Sequence, residues 1–346
     1  MNFASDNVTG VAPEILAAVG RAGDGPAMPY GNDAITARLE ARFAEIFETE
    51  LAVFPVATGT AANALALSAL TPPFGAVFCH REAHVNVDEC GAPELFTGGA
   101  KLVALDGAEG KLAADDLEAA LAEAGAGDVH HVQPAAVSLS QASEAGTVYS
   151  VAETAAIAEI CRRRGVALHV DGARFANAVA RLACTPAEIT WKAGVDALSF
   201  GATKNGAMAA EAVIFFRPEP ARDFGYRRKR GGHLFSKMRF LSAQLEAYLE
   251  DDLWLRNAAH ANAMTARLAA GLKALPGARL RHLVEANEIF ITLPEPVLAG
   301  LEADGFVFYR WPGGDGTLIR LICGFDRKAE EVDAFLAAAR RHQAAA

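Results

Sequence analysis

Three short stretches of the chain combine reactive side chains with backbone settings that could put them to use. Asp171, in ALHVDGAR, follows the apolar run Ala167–Val170, where a buried strand is expected to end. Open α/β sheets bind ligands at that carboxyl edge, and a carboxylate there is costly unless something pairs with it. Taken alone, Asp171 could equally cap the next element. Lys204, in DALSFGATKNG, also stands just past a buried apolar run, between Gly201 and Gly206. Small neighbours make it an odd place for a solvated charge, with a loop-exposed lysine as the plain alternative. Thr58-Gly59-Thr60 follows a β-rich run in VFPVATGTAANALALSAL and opens an alanine-rich helix. Free N–H groups at a helix start, the positive end of its dipole and two hydroxyls suit a phosphate. A threonine cap is the alternative.

Together these pieces supply a phosphate cradle, an acid able to pair with a pyridine nitrogen, and an amine able to form an imine. That is the equipment for pyridoxal 5'-phosphate (PLP). Asp171 is expected to keep the ring nitrogen protonated so that the ring accepts electrons, and Lys204 to be the Schiff-base amine. Arg320, in LIRLICG, is a further candidate: Leu318 and Ile322 share its strand face while Ile319 and Leu321 cover the other. A charge in that setting wants an anion, and a bidentate carboxylate fits. The alternative is an edge strand from which Arg320 snorkels to water. His84 stands at a strand-to-helix turn, where a structural role is common. Arg174 could form a salt bridge, and Arg227–Arg230 would ordinarily be a solvated charged face.

The elements that must position these residues read as an α/β fold. Candidate strands are Ala76–Cys79, Lys101–Leu105, Ala136–Leu139, Ala167–Val170, Ala197–Phe200 and Ala212–Phe216, several of them continuous apolar runs as in a parallel sheet covered on both faces. Ser150 with Glu153 forms a capping box, and Arg162–Arg164 then Gly165 end that helix. Thr185, Pro186 and Glu188 repeat the pattern and predict a helix ending at Lys192–Gly194, placed between the strands that carry Asp171 and Lys204. Strands alternating with helices give right-handed βαβ units. After residue 216, Phe235–Leu249 and Leu253–Leu275 read as long helices. Strand-like Glu288–Leu293, Phe306–Tyr309 and Leu318–Cys323 and a terminal helix from about Lys328 follow. Two domains are expected: 1–250, with an N-terminal arm over 1–35, and a smaller α+β domain over 251–346.

Composition narrows the class. Hydrophobic residues make up 52% and charged residues 21% of the 346, which suits a globular enzyme. A net charge of −10 argues against a nucleic-acid partner. No apolar stretch reaches membrane-spanning length and the start, MNFASDNVTG, lacks a signal-peptide pattern, so a cytoplasmic location is expected. Five scattered cysteines without a CxxC pair fit reduced core thiols. No HExxH or other ligand spacing occurs, and His130–His131 cannot aim both rings to one side, so no metal is expected. A nicotinamide or ATP binder is disfavoured because neither GxGxxG nor GxxxxGK[ST] occurs. A catalytically dead interaction protein would have lost the lysine or the aspartate.

The blocks SDNVTG, PYGND, TGTAAN, AHVNVDECGA, LHVDGARFANA and SFGATKNG, in that order from about residue 4 to 330, resemble the threonine aldolase family of fold-type I PLP enzymes. SQASEAG, YRRKRGGH and SKMRFLSAQ resemble its bacterial low-specificity branch, which includes phenylserine aldolases. The resemblance implies a mixed, mostly parallel sheet in a large domain. It implies cleavage of L-β-hydroxy-α-amino acids to glycine and an aldehyde; β-elimination and transamination use the same lysine and aspartate and are the alternatives. It gives Lys204 the Schiff base, Asp171 the pyridine nitrogen, and His84 a stacking place on the ring and candidacy as proton acceptor. Thr58, Gly59 and Thr60 would hold the phosphate, Arg174 would help hold cofactor and substrate, and Ser5, Arg174 and Arg320 would bind the amino acid carboxylate. Tyr30 matches an active-site tyrosine and Glu89 an acid near His84. One of Arg227–Arg230, with Arg230 preferred and Lys237 a further candidate, would reach a neighbour's phosphate in a dimer or tetramer. Where many relatives read ENTH, this chain reads Ser140-Gln141-Ala142-Ser143, so the histidine that touches the substrate hydroxyl there is absent. A hydroxyl-lined or water-filled spot at Ser143 or a neighbour is expected instead, with loose control over the β-epimers.

Overall fold

A computed structural model describes residues 1–313 and 316–345, the side chain of Ala345 apart. Seven strands form the main sheet: β1 (Ala52–Val56), β2 (Gly75–His80), β3 (Lys101–Leu105), β4 (Gln133–Ser140), β5 (Ala167–Gly172), β6 (Ala197–Gly201) and β7 (Glu211–Phe215). Their spatial order is β1-β7-β6-β5-β4-β2-β3. The pairings from β3 through β2, β4 and β5 to β6 are parallel, and β7 runs antiparallel to both β6 and β1. Every residue of β2, β6 and β7 is buried, so the uninterrupted apolar runs mark strands covered on both faces. The edge strand β3 has no fully buried residue, and Lys101 and Ala104 are exposed.

Helices on both faces exclude water from the sheet. α1 (Gly59–Leu70) is alanine-rich and buried along most of its length, and small side chains let it lie close over β6 and β7. α2 (Val151–Arg164) has the expected capping box: Glu153 N–H donates to Ser150 Oγ at 3.2 Å and Ser150 N–H to Glu153 Oε2 at 2.7 Å. The same reciprocal bonds form at Thr185 and Glu188, yet no helix grows from them. Turns and a single 3₁₀ turn at Trp191–Ala193 follow, because Thr190 Oγ1 bonds back to Pro186 O and Trp191 Nε1 reaches Phe47 O. The helix between β5 and β6 is α3 (Phe175–Leu182), which lacks a side-chain cap and so lacks the signal that would have marked it. Its buried face carries Phe175, Ala176 and Val179 into the main core.

Phe43, Phe47, Phe175, Phe200, Tyr248 and Trp254 pack in one aromatic group between sheet and helices, each burial contributing roughly 1.5–3 kcal/mol. The first long helix after β7's connection is α4 (Arg239–Leu249), shorter than Phe235–Leu249. α5 (Leu253–Lys273) begins where a boundary was expected and joins two cores: Leu253, Trp254 and Ala258 lie in the first, Leu268 and Leu272 in the second. The second core is built on β8 (Arg279–Leu280), β9 (Glu288–Thr292), β10 (Tyr309–Arg310) and β11 (Leu318–Ile322), in the order β10-β11-β9-β8. Phe306–Phe308 do not extend β10, because Val307 pairs with the chain's start: Phe3 N–H donates to Val307 O and Val307 N–H to Met1 O. Phe3 is fully buried in this second core, so the N-terminal arm threads into the smaller unit. No helix of the described residues is long and apolar enough to cross a membrane.

Candidate active site

The carboxyl ends of β5 and β6 lie side by side and present Asp171 and Lys204 on one edge. Asp171 is the penultimate residue of β5 and pairs across with Ser199 of β6. Gly201 ends β6 and lets the two strand ends close up, since a Cβ there would stand 2.5 Å from Ala173 O. Lys204 follows in the 3₁₀ turn Thr203–Asn205. Asn205 pins that turn by donating to the Tyr248 hydroxyl (2.7 Å) and Trp254 O (2.8 Å), and Gly206 takes the left-handed φ of 119° that ends it. The TKNG block thus fixes the lysine by anchoring its neighbour in the core. Among the described residues the Lys204 amine has no hydrogen-bond or ion-pair partner.

A cavity of about 340 Å³ opens here, lined by Thr58, Gly59, Thr60, Asn63, His84, Asp171 and Lys204 among others. Thr58 caps α1 by accepting from Ala61 N–H (3.2 Å), which leaves the Gly59 and Thr60 amides as donors at the start of the helix. A Cβ on Gly59 would project into open space. Asn63, a buried polar side chain in the alanine-rich α1, links the buried acids. Its amide nitrogen donates to Asp171 Oδ2 (2.7 Å) and to Glu89 Oε1 (2.8 Å). Glu89 Oε1 in turn lies 2.8 Å from His84 Nδ1. His84, Glu89 and Asp171 therefore bring ligand atoms within 4.8 Å of one another, and the Asn63 amide between the two carboxylates accounts for that proximity. The bond to Glu89 holds the His84 imidazole above its ordinary pKa, and burial pushes the Glu89 carboxyl up. Asn63 Oδ1 and Glu89 Oε2 are buried without a partner among the described residues. On the other side of Lys204, Glu211 of β7 is buried, which pushes its carboxyl up to about 7, and it accepts from Ala202 N–H at 2.9 Å.

An unpaired amine, a buried carboxylate oriented by Asn63 and Ala173 at the cavity wall and an open helix start around one cavity fit PLP. Lys204 would carry it, Asp171 would face the pyridine nitrogen, and Gly59 and Thr60 would meet the phosphate. The only cationic side chains of this chain lining that cavity, among the described residues, are Lys204 and His84.

A second cavity of about 630 Å³ adjoins the first and shares Asn7, His84, Glu144 and Lys204 with it. Ser5, Arg174 and Arg320 line it. Arg174 is engaged: its Nε and Nη2 donate to Asp6 at 2.7 and 3.1 Å, and its Nη1 stands 3.3 Å from Glu288. Burial opposes the Arg174 charge, but Asp6 and Glu288 keep it protonated. Burial likewise works against the Asp6 carboxylate, and Arg174 holds it below the usual range. Arg320 is freer. It donates to Ala4 O (3.0 Å), stands 3.9 Å from Glu288, lies over the Trp311 and Tyr309 rings, and keeps a buried Nε without a partner. Its strand alternates as expected, with Ile319 and Leu321 fully buried in the small core.

Of the expected site residues, Ser5, Thr58, Gly59, Thr60, His84, Asp171, Arg174, Lys204 and Arg320 line these two cavities. Glu89 lines neither; it sits behind His84. Tyr30 is exposed, under the Lys229 amine at 4.7 Å, and lines neither cavity. Arg230 and Lys237 are exposed and line neither, while Arg228 tucks against Phe54 and Pro55. Ser143 does not offer its hydroxyl to the site: it is fully buried, bonded to Thr147 Oγ1 (2.7 Å) and Glu109 O (3.2 Å). Its neighbour Glu144 is the residue that lines the cavities. Asn63, Glu144, Glu211, Asp6 and Glu288 were not singled out from sequence; the one available signal was an isolated polar residue in an apolar run, clearest for Asn63 and Glu211.

The family profile described as Beta-eliminating lyase matches residues 2–295. A low specificity L-threonine aldolase from a Pseudomonas species is 46% identical over 331 residues, 95% of this chain and 94% of that one. The solved threonine aldolase of Leishmania major superposes with a TM-score of 0.93 at 31% identity, covering 99% of both chains. A serine palmitoyltransferase of Sphingomonas wittichii shares the fold at a TM-score of 0.74 and 17% identity, covering 100% of this chain and 87% of that one.

Proposed function

The chain belongs to the beta-eliminating lyase family, and from that premise we propose that it is a PLP-dependent aldolase cleaving L-β-hydroxy-α-amino acids to glycine and an aldehyde. The observation that carries this reading is the pairing of Asp171 and Lys204 at adjacent strand ends beside the open start of α1. When bound, the cofactor supplies a ring that withdraws the electron pair released as a bond at the substrate Cα breaks. Lys204 provides the amine that holds it. Asp171, oriented by Asn63 and by the Ala173 N–H at 3.0 Å, holds a proton at the ring nitrogen. His84, oriented through Glu89 and lining the same cavity, would lie against the cofactor and hold a proton there.

The substrate carboxylate belongs at Arg320 and Ser5. Arg174 lines the same cavity and adds its charge there, with Nε and Nη2 held by Asp6 and Nη1 beside Glu288. Asp171, Glu211, Glu144 and a phosphate in adjoining space call for more positive charge than Lys204 and His84 bring. A second copy of the chain, offering Arg230 or a neighbour on the exposed basic helix, answers that need, and Tyr30 sits on the same exposed side of this chain. A homo-oligomer, a tetramer by preference, and a cytoplasmic location complete the reading. L-threonine, L-allo-threonine and L-phenylserine are the proposed substrates. The test is aldehyde and glycine release from each L-epimer and from the D-enantiomers, with PLP supplied. Cleavage of the L-epimers with modest preference between them supports the reading; a preference for D-amino acids or no cleavage at all refutes it.

A further inference from the structure

We propose that Glu144 is the base that takes the proton from the substrate β-hydroxyl, an assignment that rests on the aldolase reading. Breaking Cα–Cβ in a β-hydroxy amino acid requires that the hydroxyl lose its proton as the carbonyl forms. The group responsible must stand where the cofactor cavity meets the substrate cavity. Only Asn7, His84, Glu144 and Lys204, among the described residues, line both. The Lys204 amine holds the cofactor and, once the substrate amine takes its place, serves proton transfer at Cα, and an amide such as Asn7 accepts no proton at neutral pH. His84 has Nδ1 bound to Glu89, which Asn63 ties to Asp171, so its protonation belongs to the chain that serves the ring. Glu144 has no hydrogen-bond or ion-pair partner among the described residues.

Its surroundings suit the role. The backbone buries Ser143 and leaves Glu144 partly exposed at the junction. Charged groups face it from five elements: Asp171 at the end of β5, Lys204 after β6, Arg174 before α3, His84 after β2 and Glu288 on β9. Burial, with Asp171 adding, pushes the Glu144 carboxyl up, which brings its basicity closer to working pH. In the step, Glu144 accepts the hydroxyl proton and the oxygen's pair forms the C=O bond. The Cα–Cβ pair stays with the glycine fragment, whose Cα then takes a proton from solvent, and Glu144 returns its own to water. No oxidant or reductant is needed.

The test compares two reactions of the Glu144→Gln holoenzyme: cleavage of L-threonine, and exchange of the glycine α-proton in D₂O followed by NMR. Exchange uses the cofactor, Lys204 and Asp171 but no hydroxyl. Cleavage is expected to fall by about 10²–10⁴-fold, while exchange and the visible absorbance of the bound cofactor stay at wild-type values. Glu144→Asp should recover part of the cleavage. Wild-type cleavage by the glutamine variant overturns the assignment, and so does a parallel loss of exchange. If the variant does not retain cofactor, the wild-type pH profiles decide. Cleavage should show an acid limb that glycine exchange lacks, and a shared limb overturns the proposal. Failure of the wild-type protein to cleave any β-hydroxy-α-amino acid is a different result, which removes the aldolase reading and this proposal with it.

Discussion

Replacing Arg174 with alanine removes the guanidinium that pairs with two fully buried carboxylates, Asp6 and Glu288. Both acids have side-chain exposures of 1% and Arg174 has 8%, so solvent cannot take its place. Breaking a buried pair by removing one partner costs about 3–5 kcal/mol, because the remaining charge is left uncompensated. Asn287, which donates to Asp6 at 3.1 Å, and Arg320, 3.9 Å from Glu288, soften the loss and place it at the lower end of that range. Urea denaturation of Arg174→Ala against wild type, with stability extrapolated to water, reads the value. The pH dependence has a definite sign. With Arg174 gone, Asp6 and Glu288 are desolvated acids whose folded pKa values rise above their unfolded ones. They then bind protons more readily folded than unfolded, so the variant's deficit should be smaller at pH 5 than at pH 8. Neutralising the pair as well, with Asp6→Asn and Glu288→Gln, should recover much of the loss. A deficit below about 1 kcal/mol, or one that grows toward acid pH, would refute the reasoning.

His169 is fully buried between Ser138 and Ser199, and burial pushes its pKa from 6.5 down to about 4. The unfolded chain therefore binds a proton more readily, and about 3 kcal/mol of stability should be lost as pH falls from 6.5 through 4; His169→Gln should flatten that limb, and an unchanged limb would assign it elsewhere. Asn63→Leu leaves two buried carboxylates each short of one bond, worth about 1–3 kcal/mol apiece. It should shift the pH profile of activity and weaken cofactor retention, whereas a variant that loses only stability would make Asn63 a packing residue. Light scattering should find at least a dimer, with Arg230→Ala weakening cofactor binding; an active monomer would contradict the shared site.

What could be read from the sequence was whatever depends on local pattern. Asp171, Lys204 and Thr58–Thr60 each sit next to an apolar run whose end fixes a strand or helix terminus, so residue type and position coincided. The capping box at Ser150 and Glu153 was legible for the same reason. The box at Thr185 and Glu188 formed too, but a local cap cannot tell whether tertiary bonds such as Trp191 to Phe47 let the helix grow. The supporting shell was not legible. Asn63 meets Asp171 across 108 positions and Arg174 meets Asp6 across 168, and no periodicity reports such pairings. Arg174 reads the same in sequence whether it serves a ligand or two buried acids. Ser143 and Glu144 are adjacent, and only the backbone path decides which of them faces the cavity.

The central claim, that Lys204 carries the cofactor as a Schiff base in an amino acid-cleaving enzyme, is tested most directly by borohydride reduction of the native protein followed by mass mapping of its peptides. The account predicts that reduction bleaches the visible absorbance, ends L-threonine cleavage and leaves a pyridoxyl mass on the peptide containing Lys204. A label on a different lysine, or continued cleavage by the reduced protein, would contradict it.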